Sequence, residues 1–145
     1  MASNELFYDD FEPGRLFPPC RYSIGAADSD AFIGTFDHSP VLDAAGRAVP
    51  GNGAASAVRS VHPILVGSFQ PQHAAFSWPV GVLHAREKVR LLAPVYPGEE
   101  LEASVRVKDK YLKNDKRFVV LEITVRKLEN ARVALVAERS LVWPN

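Results

Sequence analysis

Alternation is the strongest pattern in this chain, and it fills the C-terminal half. Leu101, Ala103, Val105 and Val107 fall on one side of a run whose other side is Glu102, Ser104, Arg106 and Lys108, the period of a half-buried strand. Val119, Leu121, Ile123 and Val125 repeat it against Glu122, Thr124 and Arg126. A further run over 132–143 gathers Val133, Leu135, Ala137, Leu141 and Trp143 on one side. Lys113-Asn114-Asp115-Lys116 predicts the hairpin tip between the first two runs. Upstream, 83–92 reads as another strand, and Ala93-Pro94-Val95-Tyr96-Pro97-Gly98 bends it into the next. Antiparallel strands with one apolar face need a cover. Residues 61–76 supply it: Ile64, Leu65, Val66, Phe69 and Phe76 leave no charged face, which predicts a helix enclosed by other elements. Pro63 suits its first turn, and Pro71 predicts a kink or a break into two short helices.

The N-terminal part is less regular. Phe11-Glu12-Pro13-Gly14-Arg15 predicts a turn, and 16–23 a short strand that Pro18-Pro19 confines to a sheet edge. Residues 26–36 read as a helix with Asp28 and Asp30 in its first half, where the helix dipole favours acids. It stops at the polar turn Asp37-His38-Ser39-Pro40, since proline biases the residue before it away from helix. From 43 to 60 the composition shifts to Ala, Gly, Ser and Pro, and no periodicity survives. A loop of that length is either a lid over a binding site or disordered. With no internal repeat and no second core, 1–145 reads as a single domain of the α+β class: a curved antiparallel sheet wrapped around one central helix.

Charge and cysteine content then exclude function classes. Seventeen basic and seventeen acidic side chains cancel, and no block of like charge stands out, so neither nucleic acid nor an anionic membrane is the expected partner. The single cysteine, Cys20, allows no intramolecular disulfide and fits a reducing compartment. Residues 1–10 are acidic and carry no base, unlike a secretory leader, and no apolar run is long enough to span a bilayer. The cytoplasm is the expected location. Four scattered histidines without cysteine partners make no zinc site, and no glycine-rich loop precedes a helix, so neither metal nor cofactor is expected.

Several segments, taken in order, resemble the MaoC-like hydratase and dehydratase family, whose fold is the hotdog. Phe7-Tyr8-Asp9-Asp10-Phe11-Glu12-Pro13-Gly14 resembles that family's opening segment, and Ala27-Asp28-Ser29-Asp30-Ala31-Phe32 its first helix. Asp37-His38-Ser39-Pro40 falls where the family carries Gly-Asp-x-Asn-Pro-x-His, and Val61-His62-Pro63 where it opens the central helix with His-Gly. Residues 83–101 are similar to its strand and Pro-x-x-x-Gly-Asp turn, particularly in the divergent half-domains of fused or two-subunit enzymes. In active members the motif aspartate and the histidine five residues later hold a water that adds to, or leaves from, the β-carbon of an acyl thioester. Here the fifth residue after Asp37 is Leu42, which moves no proton; Ser39 replaces the asparagine and Phe36 the glycine.

The resemblance implies hydration of 2-enoyl thioesters or dehydration of 3-hydroxyacyl thioesters carried on coenzyme A or an acyl carrier protein. Asp37, His38 and His62 are the candidate catalytic residues and Ser39, Pro63, Gly67 and His84 the candidate substrate contacts, with helix packing the other reading of Gly67 and a cross-strand hydrogen bond, beside Arg86, that of His84. Asp37 reads as the retained acid-base group or as a turn cap, and His38 as its new partner or an exposed turn residue. His62 lies at a helix start whose N–H groups would polarise the thioester carbonyl. Leu42 leaves open a non-catalytic subunit that binds acyl groups or completes a partner's site, and an acyl thioesterase is a third possibility. Either enzyme or subunit is expected to form a homodimer or a heterodimer with a second hotdog chain, because an open sheet edge is costly.

Overall fold

The computed structural model describes residues 5–36, 60–67 and 79–144. Among them a single antiparallel sheet of five strands dominates: β1 (Cys20–Tyr22), β2 (Leu83–Leu91), β3 (Leu101–Lys113), β4 (Lys116–Lys127) and β5 (Val133–Trp143), in spatial order β1-β3-β4-β5-β2. The helices are α1 (Ala26–Phe36) and the short α2 (Pro63–Val66). This is the expected α+β sheet-and-helix arrangement, and α1 has the bounds that its sequence predicts.

The three long strands follow from alternation. Leu101, Ala103, Val105, Val107, Val119, Leu121, Ile123, Val125, Leu135, Ala137, Leu141 and Trp143 are all buried, so the apolar rows share the inner face of the sheet. Val66 of α2 lies in the same core. Asn114 and Asp115 close the β3–β4 hairpin with φ of 54° and 61°, the left-handed pair of a two-residue type I′ turn. Asn and Asp tolerate that region better than most side chains.

The expected 16–23 strand is split. Leu16 bridges Arg106, Phe17 N–H donates to the Val105 carbonyl at 3.0 Å, and pairing resumes only at Cys20. Pro18 and Pro19 have no N–H to offer between. The N-terminal segment is tied to the far end of β5 by Phe11, whose ring centroid is 4.6 Å from that of Trp143, and by the Trp143 Nε1–H bond to the Leu6 carbonyl at 3.0 Å.

Of the predicted central helix, the described part is the turn Pro63–Val66, closed by Gly67 at φ −90°. Phe69, Pro71, His73 and Phe76, and with them the predicted kink, lie outside the described residues, as does the predicted loop over 43–59.

Candidate functional site

The segment 61–67 is held at each end by main-chain contacts that its own sequence does not announce. Val61 N–H donates to the Val95 carbonyl at 2.6 Å, docking the segment onto the bend that precedes β3. At the other end the Tyr22 hydroxyl donates to the Val66 carbonyl at 2.6 Å. Arg139 Nη2 donates to the Gly67 carbonyl at 3.0 Å. Two successive carbonyls at the end of a helical turn, which have no acceptor role within it, are therefore taken up by β1 and β5.

His62 is the N-cap of α2, with extended backbone, and Pro63 occupies the first helical position as expected. The expectation of N–H groups open to a substrate carbonyl is corrected. Pro63 has none, Ile64 N–H donates to His62 Nδ1 at 3.2 Å, and the Leu65 and Val66 N–H groups both go to the His62 carbonyl, at 2.9 and 3.1 Å. The first turn is satisfied from within because a histidine at the N-cap does what Asp or Ser does elsewhere. Accepting at Nδ1 requires that nitrogen to be unprotonated, so a neutral His62 carries its proton on Nε2. The imidazole packs on Phe32 of α1, with ring centroids 5.2 Å apart and planes 48° from parallel. Ser29, one turn before Phe32, is fully buried, and its Oγ has no hydrogen-bond partner among the described residues.

A polar cluster sits on the inner face of the sheet beside Gly67. Arg139 pairs with Glu87 of β2 at 2.8 Å, and His84 Nε2 lies 3.4 Å from the other oxygen of the same carboxylate. His84 thus faces Glu87, not Arg86, because the register slips between His84 and Arg86 and returns His84 to the inner face, opposite Leu141. Arg139 is mostly buried, and its Nε has no hydrogen-bond partner among the described residues. Neither Arg139 nor Glu87 nor Tyr22 stands out in the sequence as a site residue. The one available signal was Arg139 itself, a charge at an inward position of the row Leu135, Ala137, Leu141, Trp143.

Gly67 is buried against Leu135, and an added Cβ would meet the Leu135 side chain at 3.5 Å, an ordinary contact. Its φ is negative, so neither backbone nor described neighbours demand glycine there. Asp37, His38, Ser39 and Leu42 lie outside the described residues. No group of three or more His, Cys, Asp or Glu residues suited to a metal ion occurs among the described residues.

An open cleft of ≈ 580 Å³ lies where β3 begins and β4 ends, lined by Pro97, Gly98, Glu99, Glu100, Lys127 and Glu129 among others. Lys127 is already paired with Glu99 at 2.9 Å, and the remaining acids make the cleft unsuited to a phosphate.

No family model matches the chain, and no curated protein matches it. Solved structures do. The R-hydratase PhaJ1 from Pseudomonas aeruginosa, unliganded, superposes with a TM-score of 0.67 at 25% identity, over 95% of this chain and 85% of that one. A MaoC-like dehydratase from Rhodospirillum rubrum gives 0.61 at 22% identity, over 97% and 98% of the two chains. The C-terminally truncated HadBC complex of Mycobacterium tuberculosis, a (3R)-hydroxyacyl-ACP dehydratase, gives 0.68 at 14%, over 90% and 96%. The chain has the hotdog fold. It is similar, over nearly its whole length, to the MaoC-like dehydratases and (R)-hydratases that share this fold.

Proposed function

We propose that the protein hydrates 2-enoyl thioesters, or runs the reverse dehydration of 3-hydroxyacyl thioesters, on coenzyme A or an acyl carrier protein. The observation that supports this best is the coincidence of fold and motif order. The chain superposes on an R-hydratase and a (3R)-hydroxyacyl-ACP dehydratase, and in sequence order Asp37-His38-Ser39-Pro40 and Val61-His62-Pro63 resemble the family's two site motifs. In the forward direction Asp37 takes a proton from water as its oxygen bonds to the β-carbon, and a proton is delivered to the α-carbon, so that the elements of water are added without an external reactant. His38 stands beside Asp37 as the second group on the water. His62, with its ring proton on Nε2, is the donor to the thioester carbonyl as it gains enolate character, in place of the helix N–H groups that it satisfies itself. Ser39, Pro63, Gly67 and His84 are assigned to the walls of the acyl site.

One observation favours a second reading. Leu42 stands where active relatives of this kind place a histidine, so the chain also fits a subunit that binds an acyl group or completes a partner's site. Both readings include pairing with a second hotdog chain. The test is hydration of a crotonyl or longer 2-enoyl thioester by the purified wild type and Asp37→Asn. Asparagine keeps the shape and removes the basic lone pair, so turnover falls by roughly 10²–10⁴ if Asp37 is the base. Unchanged turnover in Asp37→Asn removes it from catalysis, and no hydration by wild type leaves the subunit reading.

A further inference from the structure

The sheet has two edges of very different character. At one, β1 is three residues long; at the other, β2 offers nine residues, all exposed, with no strand among the described residues on its outer side. Long open edges of this kind are covered by a partner strand or protected by charge. On the inner face of β2, Val89 and Leu91 are about half exposed, at 44% and 46%, although their cross-strand neighbours Ala137 and Leu135 are fully buried. An apolar inner row that is only half covered is the mark of an edge awaiting another strand. The outer face is different. After the slip at Ala85, Arg86, Lys88 and Arg90 occupy three successive outward positions, opposite Ser140, Glu138 and Val136. The acid that faces them from β5 is Glu138, which is already bonded to Lys108 of β3 at 2.7 Å. Lys108, Lys88 and Arg86 all draw on that one carboxylate.

We infer that β2 pairs with the edge strand of a second, non-identical hotdog chain whose outward positions carry acids. This rests on the hotdog pairing proposed above and selects between its two forms. Two copies related by a two-fold axis would pair their β2 strands antiparallel, and residues directly opposite each other then lie on the same face of the sheet. Because the cations fill every second position from 86 to 90, each such register over that stretch sets one cation against another. With Lys88 on the axis, Arg86 also meets the partner's Arg90; shifting the axis to Glu87 or Val89 sets Lys88 against an arginine; and with the axis at Arg86 or Arg90 that residue meets its own copy. Like charges directly opposite are destabilising in a sheet. A strand with Asp or Glu at those positions turns the same geometry to attraction, while Val89 and Leu91 supply the apolar row in either case.

The experiment measures self-association of the full chain by sedimentation at low and high sodium chloride, together with pairing against its own charge-reversed variant Arg86→Glu/Lys88→Glu/Arg90→Glu. Wild type alone is expected to associate weakly, and about tenfold more tightly at high salt, where the facing cations are screened. An equimolar mixture with the variant is expected, by native mass spectrometry, to exceed the one-half of mixed dimers that random pairing gives. The single variant Lys88→Glu makes the same test if the triple variant does not fold. A tight wild-type dimer indifferent to salt, with random mixing, overturns the inference. So does a coenzyme A affinity abolished by the reversal in such a dimer, which would mark the row as a phosphate contact. Hydration assays on the same samples keep the two questions apart, since pairing without turnover leaves this inference standing and removes only the enzymatic reading.

Discussion

The Tyr22 hydroxyl donates to the Val66 carbonyl at 2.6 Å, joining an edge strand to the end of α2 across 44 positions of sequence. Burial pushes the Tyr22 phenol well above the usual tyrosine range, with a smaller contribution from the Cys20 thiol nearby. Tyr22→Phe leaves the carbonyl without that donor and is expected to cost about 1–2 kcal/mol in urea unfolding. The sign of the pH effect follows from the same shift. An acid whose folded value is raised contributes stability that is fully present below its unfolded value, near 10, and is lost as pH rises through the folded one. Wild type should therefore lose stability above about pH 10, and Tyr22→Phe should lose less over that range.

Arg139 makes a test of buried charge. Truncation to methionine strands Glu87 and the Gly67 carbonyl, and is expected to cost about 2–3 kcal/mol. Arg139→Met/Glu87→Leu removes both charges, and with them the buried Nε that has no partner among the described residues. The double variant should recover more than half of the loss, because a well-packed apolar pair commonly equals a half-satisfied ionic one. A double variant as unstable as the single one would show that the Gly67 contact, and not the ion pair, carries the energy.

Glu99 should contribute to acid sensitivity. Burial raises its carboxyl, but the hydrogen bond from Lys127, the Tyr96 N–H and the Lys127 charge together outweigh that and hold it below the ordinary carboxylate value. An acid with a lowered folded value contributes stability present above its unfolded value and lost as pH falls through the folded one. Thermal stability should thus fall with acidification below about pH 4, and Lys127→Met should flatten that part of the profile.

Leu42 is the fifth residue after Asp37, where the MaoC-like resemblance expects a histidine, and the histidine can be introduced. Leu42→His is expected to raise enoyl-thioester hydration by at least tenfold where Asp37 and His62 still frame a thioester. His62→Ala should abolish that gain and cost about 1 kcal/mol of stability through loss of the cap. A Leu42→His protein that folds and hydrates nothing would assign the chain to the subunit reading.

Period-two alternation determined the inward rows of β3, β4 and β5, because in a strand the side-chain direction follows from position, except at Val133: the register shifts after Val125, Val133 lies opposite outward Arg126, and Ala134 is buried instead. The bounds of α1, the hairpin at Asn114-Asp115 and the split around Pro18-Pro19 were equally local, set by φ preferences and missing donors within a few residues. The order β1-β3-β4-β5-β2 was not, since β2 returns beside the last strand and such pairings depend on residues about fifty positions apart. That return is what places the cations at 86, 88 and 90 on an open edge. Tertiary structure alone also decided that Tyr22 reaches the Val66 carbonyl and that Arg139 reaches both Glu87 and Gly67. The physical reason is the same in each case: a donor's partner is chosen by what packing brings within about 3 Å, and sequence spacing carries no record of contacts between distant segments.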